Sequence, residues 1–170
     1  MGISPQLTKD AQYAASQTGI NPNVVLTQFV QENGYAPPST NNFGNISYFG
    51  GPGQTGYFTS SGGTKIATYA TPQAGLNAYD NLMNSQYAQV AKAGSPAAEL
   101  TALQNSPYDA AGYPSIFNTY KSVTGQTAKP TSSPSTAKST AATSGLFASK
   151  SALDWTLIVI AVVLIAAVFF

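Results

Sequence analysis

Residues 21–34 read Asn-Pro-Asn-Val-Val-Leu-Thr-Gln-Phe-Val-Gln-Glu-Asn-Gly, and this stretch decides how the chain folds. Proline fits the first position of a helix because that amide has no helical partner, and asparagine is a favoured capping residue before it. The apolar side chains then follow at helical spacing: Val25, Leu26, Phe29 and Val30. Glycine commonly ends helices. We therefore predict a helix over 21–33 with one buried face and with Glu32 in its last turn.

The same start signal occurs three more times, at Ser4-Pro5, Thr71-Pro72 and Ser95-Pro96. The second of these opens a predicted helix over 71–84, with a buried face made of Leu76, Tyr79, Leu82 and Met83. Shorter helices are predicted over 87–92, 96–104 and 114–123. The first 124 residues are therefore predicted to form a mainly helical domain.

Residues 35–70 are rich in Gly, Pro, Asn and aromatic side chains. Two strand-like pieces, 56–59 and 65–69, flank Ser60-Ser-Gly-Gly63, which predicts a β-hairpin. The predicted fold class is α+β, mainly α, with a small β-hairpin insert.

The C-terminal part has a different composition. Residues 125–151 are mostly Ser, Thr, Ala, Pro and Lys, which predicts a disordered linker. Residues 152–170 are predicted to form a transmembrane helix, since the run from Trp155 onward is apolar on every side and would give roughly 24 Å of helix. A buried core helix is the alternative, but Trp155 and Lys150 stand where interfacial anchors belong.

The composition excludes several classes of function. Charged residues are 8% of the chain and the net charge is +1, which disfavours a nucleic-acid partner. Histidine and cysteine are both absent, so Ser-His-Asp and Cys-His catalysis and the usual zinc ligands are excluded. Six carboxylates, seven lysines and ten tyrosines remain for acid-base chemistry. No metal or cofactor is expected.

Glu32 is the carboxylate that its position singles out. Near a helix C-terminus it faces the negative end of the helix dipole, which is expected to raise its pKa and would suit a general acid. The alternative is an exposed glutamate that the last turn of the helix merely tolerates.

Two segments around Glu32 carry a family resemblance. Gln28-Phe-Val-Gln-Glu-Asn-Gly-Tyr35 followed by Asn41-Asn-Phe-Gly-Asn-Ile46 resembles the bacterial glucosaminidase and flagellar muramidase family of the lysozyme-like superfamily. In that family a Glu-Ser/Thr-Gly-Trp helix end precedes an Asn-Asn-hydrophobic-Phe-Gly-Ile loop. This chain departs from the pattern at Asn33 and Tyr35.

Two later segments continue the resemblance, which spans about residues 5–122. Residues 67–79 are similar to the family's Tyr-x-Ser/Thr-Pro helix start, and residues 103–114 to its late Ala-Gly-Tyr-Ala turn. The resemblance implies a lysozyme-like domain that cleaves the glycan of peptidoglycan, with Glu32 as proton donor. The substrate-binding residues that it implies are Tyr35, Asn41, Asn42, Phe43, Asn45, Tyr69 and Tyr113. Ordinary turn chemistry in loop 41–46, with Phe43 and Ile46 filling the core, is the alternative and is compatible with it.

A second catalytic carboxylate is hard to find, because no Asp or Glu occurs from Asn33 through Tyr79. We expect Asp80 to be solvated and Asp109 to stabilise a turn. A lytic transglycosylase would need Glu32 alone, first as acid and then as base, and so would a reaction in which the substrate's acetamido group attacks. A hydrolase that uses a more distant carboxylate stays open.

Two other classes of function remain. A lysozyme-like domain that binds glycan without cutting it, or a structural virion protein, would use the same tyrosines and asparagines but would not need Glu32. A peptidoglycan peptidase or amidase is disfavoured by the lack of His and Cys.

The expected location is a membrane. The N-terminus has no signal-peptide pattern, and the linker lysines would keep the domain on the side where it is made. A membrane-containing bacteriophage would reconcile this with peptidoglycan, since known phages of that kind carry membrane-bound transglycosylases. The expected partners are peptidoglycan, the lipid membrane of the virion and other virion proteins.

Overall fold

The computed structural model describes residues 2–108 and 116–130, which belong to one compact unit. The helices are α1 (Pro5–Thr18), α2 (Pro22–Asn33), α3 (Pro72–Gln86), α4 (Ala88–Ala91), α5 (Pro96–Gln104) and α6 (Ile116–Thr124). The strands are β1 (Gln54–Thr59) and β2 (Lys65–Tyr69). About half of the described residues are helical, and the two strands pair as one antiparallel hairpin. The expected combination of helices with a small β-hairpin is therefore confirmed.

The four predicted helix starts are also confirmed. Proline occupies the first turn of α1, α2, α3 and α5. The capping side chains accept an N–H of the first turn at 3.0 to 3.4 Å. They are Ser4, Asn21, Thr71 and Ser95. Each cap satisfies a backbone donor that the helix itself leaves without a partner.

The hairpin starts slightly earlier than the sequence suggests. Strand β1 begins at Gln54, which pairs with Tyr69, and a bulge separates Gln54 from Gly56. The turn is closed by hydrogen bonds between Ser60 and Thr64 and between Gly63 and Ser60. The Gly63 φ of 82° is a conformation that glycine adopts without strain.

Helix α2 is the most enclosed helix of the described unit. All residues from Val24 to Val30 are buried, rather than only the predicted face, because α2 packs against α1, α5 and α6. The Phe29 ring lies 5.1 Å from the Phe43 ring and 5.0 Å from the Tyr79 ring, centroid to centroid. This aromatic cluster joins α2, the loop 41–46 and α3.

Several predictions fall on residues that lie outside the described part of the chain. These are Asp109, Tyr113, the linker from residue 131 onward and the transmembrane helix 152–170. Within residues 2–108 and 116–130, no helix combines the length and the apolar character needed to cross a membrane.

Candidate active site

Glu32 lies half-buried in the last turn of α2. The helix ends at Gly34, whose N–H donates to the carbonyl of Val30 at 2.9 Å and whose φ is 79°. The positive φ turns the chain sharply away from the helix axis, so Glu32 stands at the point where α2 meets the loops that follow it.

Two tyrosine hydroxyls lie close enough to Glu32 to feel its charge. Burial raises the pKa of Tyr79 well above its usual value, and the charges of Asp80 and then Glu32 add to the effect. Burial likewise raises the pKa of Tyr108, with smaller contributions from Tyr79 and then Glu32. Both phenols are therefore neutral at any physiological pH and act as hydrogen-bond donors in the neighbourhood of Glu32.

These two hydroxyls hold the surrounding backbone and side chains in place. Tyr79 donates to Gln28 Oε1 at 2.7 Å, one turn before Glu32 on α2. Tyr108 donates to the carbonyl oxygen of Gly44 at 2.7 Å. The environment of Glu32 is thus built from α2, α3, the loop 41–46 and the segment after α5.

Loop 41–46 is fastened to the end of α2 by Asn33. The Asn33 side-chain amide donates to the carbonyl of Phe43 at 2.7 Å and, less closely, to that of Phe29 at 3.4 Å. The Asn33 side chain therefore has a defined role. It holds the loop next to Glu32.

Inside the loop, Asn42 is 1% exposed and its side chain is fully engaged. Its amide donates to the carbonyls of Ile46 and Ala67, both at 2.9 Å, and its oxygen accepts the N–H of Ile46 at 2.8 Å. Asn41 and Asn45 have φ values of 57° and 51°, which asparagine tolerates better than most residues. The turn-chemistry interpretation of this loop is confirmed.

Two glycines allow close approaches that position the loop. A Cβ on Gly44 would overlap the Tyr108 hydroxyl. A Cβ on Gly75 of α3 would overlap the carbonyl oxygen of Asn41. The loop is therefore packed directly against α3 and against the Tyr108 side chain.

A groove runs between the loop, the hairpin and α3. It consists of two adjoining pockets of about 220 Å³ each, which share the lining residues Ile46, Phe49, Leu82 and Gln86. One pocket also contains Asn45 and Tyr108, and the other contains Tyr69. We call this feature the hairpin groove. Its Tyr108 wall connects it to the surroundings of Glu32.

The predicted substrate-binding residues do not all occupy equivalent places. Asn45 is exposed and Tyr69 lines the groove. Asn42 and Phe43 are each 1% exposed, so they would support the loop from within rather than touch a ligand.

Asn41 and Tyr35 are tied to other parts of the unit. The Asn41 amide donates to the carbonyl of Tyr69 at 2.8 Å. The Tyr35 hydroxyl lies on the side of α6, 3.5 Å from Ser122 Oγ.

The other described carboxylates lie away from Glu32. Glu99 accepts the N–H of Asn21 at 2.9 Å, at the opposite end of α2 and roughly 16 Å along the helix from Glu32. Asp10 accepts a hydrogen bond from Gln6 within α1 at 2.8 Å.

The prediction that Asp80 is solvated is wrong. Asp80 is 7% exposed, because it faces the C-terminal half of α1, and burial raises its pKa to about 7. It shares a pocket with Tyr13 and Gln17 of α1. Tyr35, three residues after Glu32, meets the N-terminal end of α1, where the Ser4 N–H donates to the Tyr35 carbonyl at 2.9 Å. Asp80 and the chain next to Glu32 therefore contact opposite ends of α1.

Sequence reasoning assigned no role to three residues of this region: Gln28, Tyr108 and Phe49. Gln28 is fully buried and lies on the helical face of Glu32, so its spacing of four residues was the available signal. Phe49 is 73% exposed in the hairpin groove, and an exposed aromatic side chain is recognised only once the fold is known.

Comparison with known proteins gives no relative of this chain: no family model, no curated protein and no solved structure matches it.

Proposed function

We propose that the protein is a peptidoglycan-degrading enzyme that cleaves the glycan strand with Glu32 as its proton donor. The observation that carries the proposal is the placement of Glu32. It is a half-buried carboxylate at the end of the most enclosed helix, its charge acts on two neutral tyrosine hydroxyls, and one of these, Tyr108, lines the hairpin groove. A carboxyl group held in this way on a rigid element suits general acid catalysis.

The finer fold assignment, a lysozyme-like domain, is part of the proposal. It is supported by the order of elements along the chain. A helix ending in glutamate is followed by an asparagine-rich loop, a hairpin and a second buried helix. The loop packs against both helices, so the order along the chain also brings these segments together around Glu32.

The substrate would lie in the hairpin groove. Phe49, which is 73% exposed, offers an aromatic surface to a sugar ring, and the exposed Asn45 and Gln86 offer amides to hydroxyl and acetamido groups. Tyr108, which lines the groove and is influenced by the charge of Glu32, links the bound strand to the acid.

A reaction with one protein carboxylate is the mechanism that these positions favour. Glu32 would protonate the glycosidic oxygen as the bond breaks. As a carboxylate it would then remove the proton of the muramic 6-hydroxyl, which closes an anhydro ring without the entry of water. Glu99 and Asp80, the later carboxylates of the described chain, face other elements, so neither is placed to activate water opposite Glu32.

The location is proposed on the sequence alone. The apolar run 152–170 would anchor the domain in a membrane through the linker, and the membrane of a bacteriophage virion would bring the enzyme to the cell wall during entry.

The experiment that tests the activity is zymography of the full-length protein on purified peptidoglycan, followed by mass analysis of the soluble products. Glu32→Gln keeps the shape of the side chain but removes the proton. It should lower cleavage by roughly 10²- to 10⁴-fold or more while peptidoglycan binding persists. Wild-type products should end in anhydro-muramic residues, lighter by one water than hydrolytic products.

The matched control is Glu99→Gln. Its remaining oxygen can still accept the Asn21 N–H, so cleavage and products should stay close to those of the wild type. If Glu32→Gln lysed peptidoglycan as fast as the wild type, Glu32 would not be the proton donor. Binding without any cleavage by the wild type would favour the alternative of a glycan-binding or structural virion protein. Products with ordinary reducing ends would favour a hydrolase.

A further inference from the structure

A second pocket lies between α1 and α3, with a lining that differs from that of the hairpin groove. It has a volume of about 280 Å³, on the scale of one sugar ring, and every side chain that lines it is polar. These residues are Tyr13, Gln17, Asn77, Asp80, Asn81 and Asn84. We call it the amide pocket.

Asp80 is the buried member of the amide pocket. It is 7% exposed, and within the described chain its Oδ1 has no hydrogen-bond partner. A buried polar atom without a partner destabilises the fold, so such an atom calls for an explanation. Asp80 also lines the amide pocket, so a ligand hydroxyl bound there would lie next to its carboxyl group.

Three exposed asparagines of α3 line the same pocket. Asn77, Asn81 and Asn84 share one helical face, although asparagine is a poor helix former in a helix interior. Two are already oriented: Asn77 accepts from Gln73 at 2.8 Å, and Asn84 donates to the carbonyl of Gln17 at 3.3 Å. Within the described chain, these hydrogen bonds leave the amino group of Asn77 and the carbonyl oxygen of Asn84 able to bind a ligand.

The lining chemistry selects the class of ligand. Amides present donors and acceptors side by side, which matches neutral hydroxyl and acetamido groups better than an ion. No lysine lines the pocket to attract an anion, and one carboxylate is few for a calcium site. The aromatic ring of Tyr13, 38% exposed, offers a surface to the apolar face of a sugar.

We propose that the amide pocket is an accessory saccharide site that holds one sugar residue of a glycan strand away from Glu32. The choice of an N-acetylated saccharide rests on the proposed function. Asn81 lines both the amide pocket and the hairpin groove, so the two lie on adjoining sides of α3. A strand held at both places would be kept on the protein between cleavage events.

The experiment is calorimetric titration of the full-length Glu32→Gln protein with a β-1,4-linked tetramer of N-acetylglucosamine. We expect two binding sites per chain. Asp80→Ala and Asn77→Ala, each added to Glu32→Gln, should reduce the stoichiometry to one or weaken the second site at least tenfold. Asn77→Ala should fold well, since alanine is the better helix former.

The matched control is Asn23→Ala, which removes an exposed asparagine of α2 outside the pocket and should leave both sites intact. A single site in the parent protein, or two unchanged sites in both pocket variants, would overturn the proposal. A further titration uses calcium chloride in place of the tetramer. Calcium binding that Asp80→Ala abolishes, with no second saccharide site, would replace the proposal by a cation site.

The titration is independent of catalysis because it uses a protein without the proposed acid. Two saccharide sites in a chain whose wild type cleaves nothing would leave the amide pocket standing and remove the proposed enzyme. If the wild type cleaves peptidoglycan but the chain has one saccharide site, the proposed enzyme stands and the amide pocket is not a saccharide site.

Discussion

The asparagine side chains around Glu32 hold the neighbouring loop in its conformation. Asn33 and Asn42 use their amides to hold loop carbonyls, and Asn41 and Asn45 adopt a positive φ that few other residues tolerate. The turn chemistry of the loop could be predicted from sequence. Which asparagine would be buried could not, because the partners of Asn42 include Ala67, which lies 25 residues away along the chain.

Asp80 gives a prediction on the pH dependence of stability. Burial raises its pKa from 3.8 to about 7, so between these two values the folded state holds a proton that the unfolded state releases. The free energy of unfolding contributed by this group therefore falls as the pH rises from about 4 to 7 and stays low above that. Asp80→Asn removes the buried charge and should stabilise the protein at pH 8 by on the order of 2 kcal/mol. This free energy is smaller than the full pKa shift would give, because solvent in the open pocket screens the charge.

Urea unfolding at pH 4, 5.5 and 8, followed by circular dichroism, measures this effect. The stability gained by Asp80→Asn should grow across the series. Asn84→Ala changes a neighbour in the same pocket that does not titrate, so its effect should be the same at each pH. An equal effect of Asp80→Asn at all three values would show that the carboxyl group is not held neutral by the fold.

Among the helices and strands, capping residues fixed where four helices begin. Tertiary contacts set the length of strand β1 and the burial of the α3 side chains. The four helices that begin with a capped proline start where the sequence predicts, because capping acts within one turn. Strand β1 extends to Gln54 because that residue pairs with Tyr69 across the hairpin. Leu82, predicted to be buried, is only partly buried, since its side of α3 lines the hairpin groove.

Gly75 provides a test of how α3 meets the loop. In a helix, Gly→Ala normally stabilises by about 1 kcal/mol. Here the added Cβ would overlap the Asn41 carbonyl, so Gly75→Ala should instead destabilise by about 2 kcal/mol and reduce cleavage by displacing the loop.

Thermal unfolding and zymography of the same preparation measure both consequences. Gly62→Ala in the hairpin turn is the control, because the nearest side-chain atom to its new Cβ, Ser60 Oγ, is 3.9 Å away. Its stability should change by less than about 0.5 kcal/mol. A Gly75→Ala protein more stable than the wild type would mean that the loop and α3 are not in direct contact.

At the scale of the molecule, the described unit is organised around the aromatic cluster of Phe29, Phe43 and Tyr79. The cluster joins α2, which carries Glu32, to the loop and to α3, and residues of this loop and of α3 line the hairpin groove. Because Asp80 neighbours Tyr79 on α3, the same helix that completes this core also supplies the amide pocket on its other face.

The apolar C-terminal run gives a prediction for the whole chain. Deletion of residues 152–170 should convert a detergent-requiring protein into one that stays in the aqueous phase, because a run of this length and composition is expected to insert into a bilayer. Flotation with phospholipid vesicles measures the change. Val163→Asp in the full chain is the finer variant, since a charge at mid-helix should cost about 3 kcal/mol of insertion free energy. Continued flotation of the truncated protein would place the anchor elsewhere, and a full chain that never floats would favour a buried helix.

From the sequence we could predict the helix starts, the hairpin, the loop turn chemistry and the exclusion of His- and Cys-dependent catalysis. Each of these depends on residue identity or on contacts within a few residues. The sequence also singled out Glu32 as a glutamate at a helix end. Which polar groups are enclosed depends instead on how the elements pack together, as for Gln28, whose partner Tyr79 is 51 residues away. Burial of Asp80 was likewise decided by the packing of α3 on α1, because exposure depends on which elements meet and a local pattern does not specify its partner.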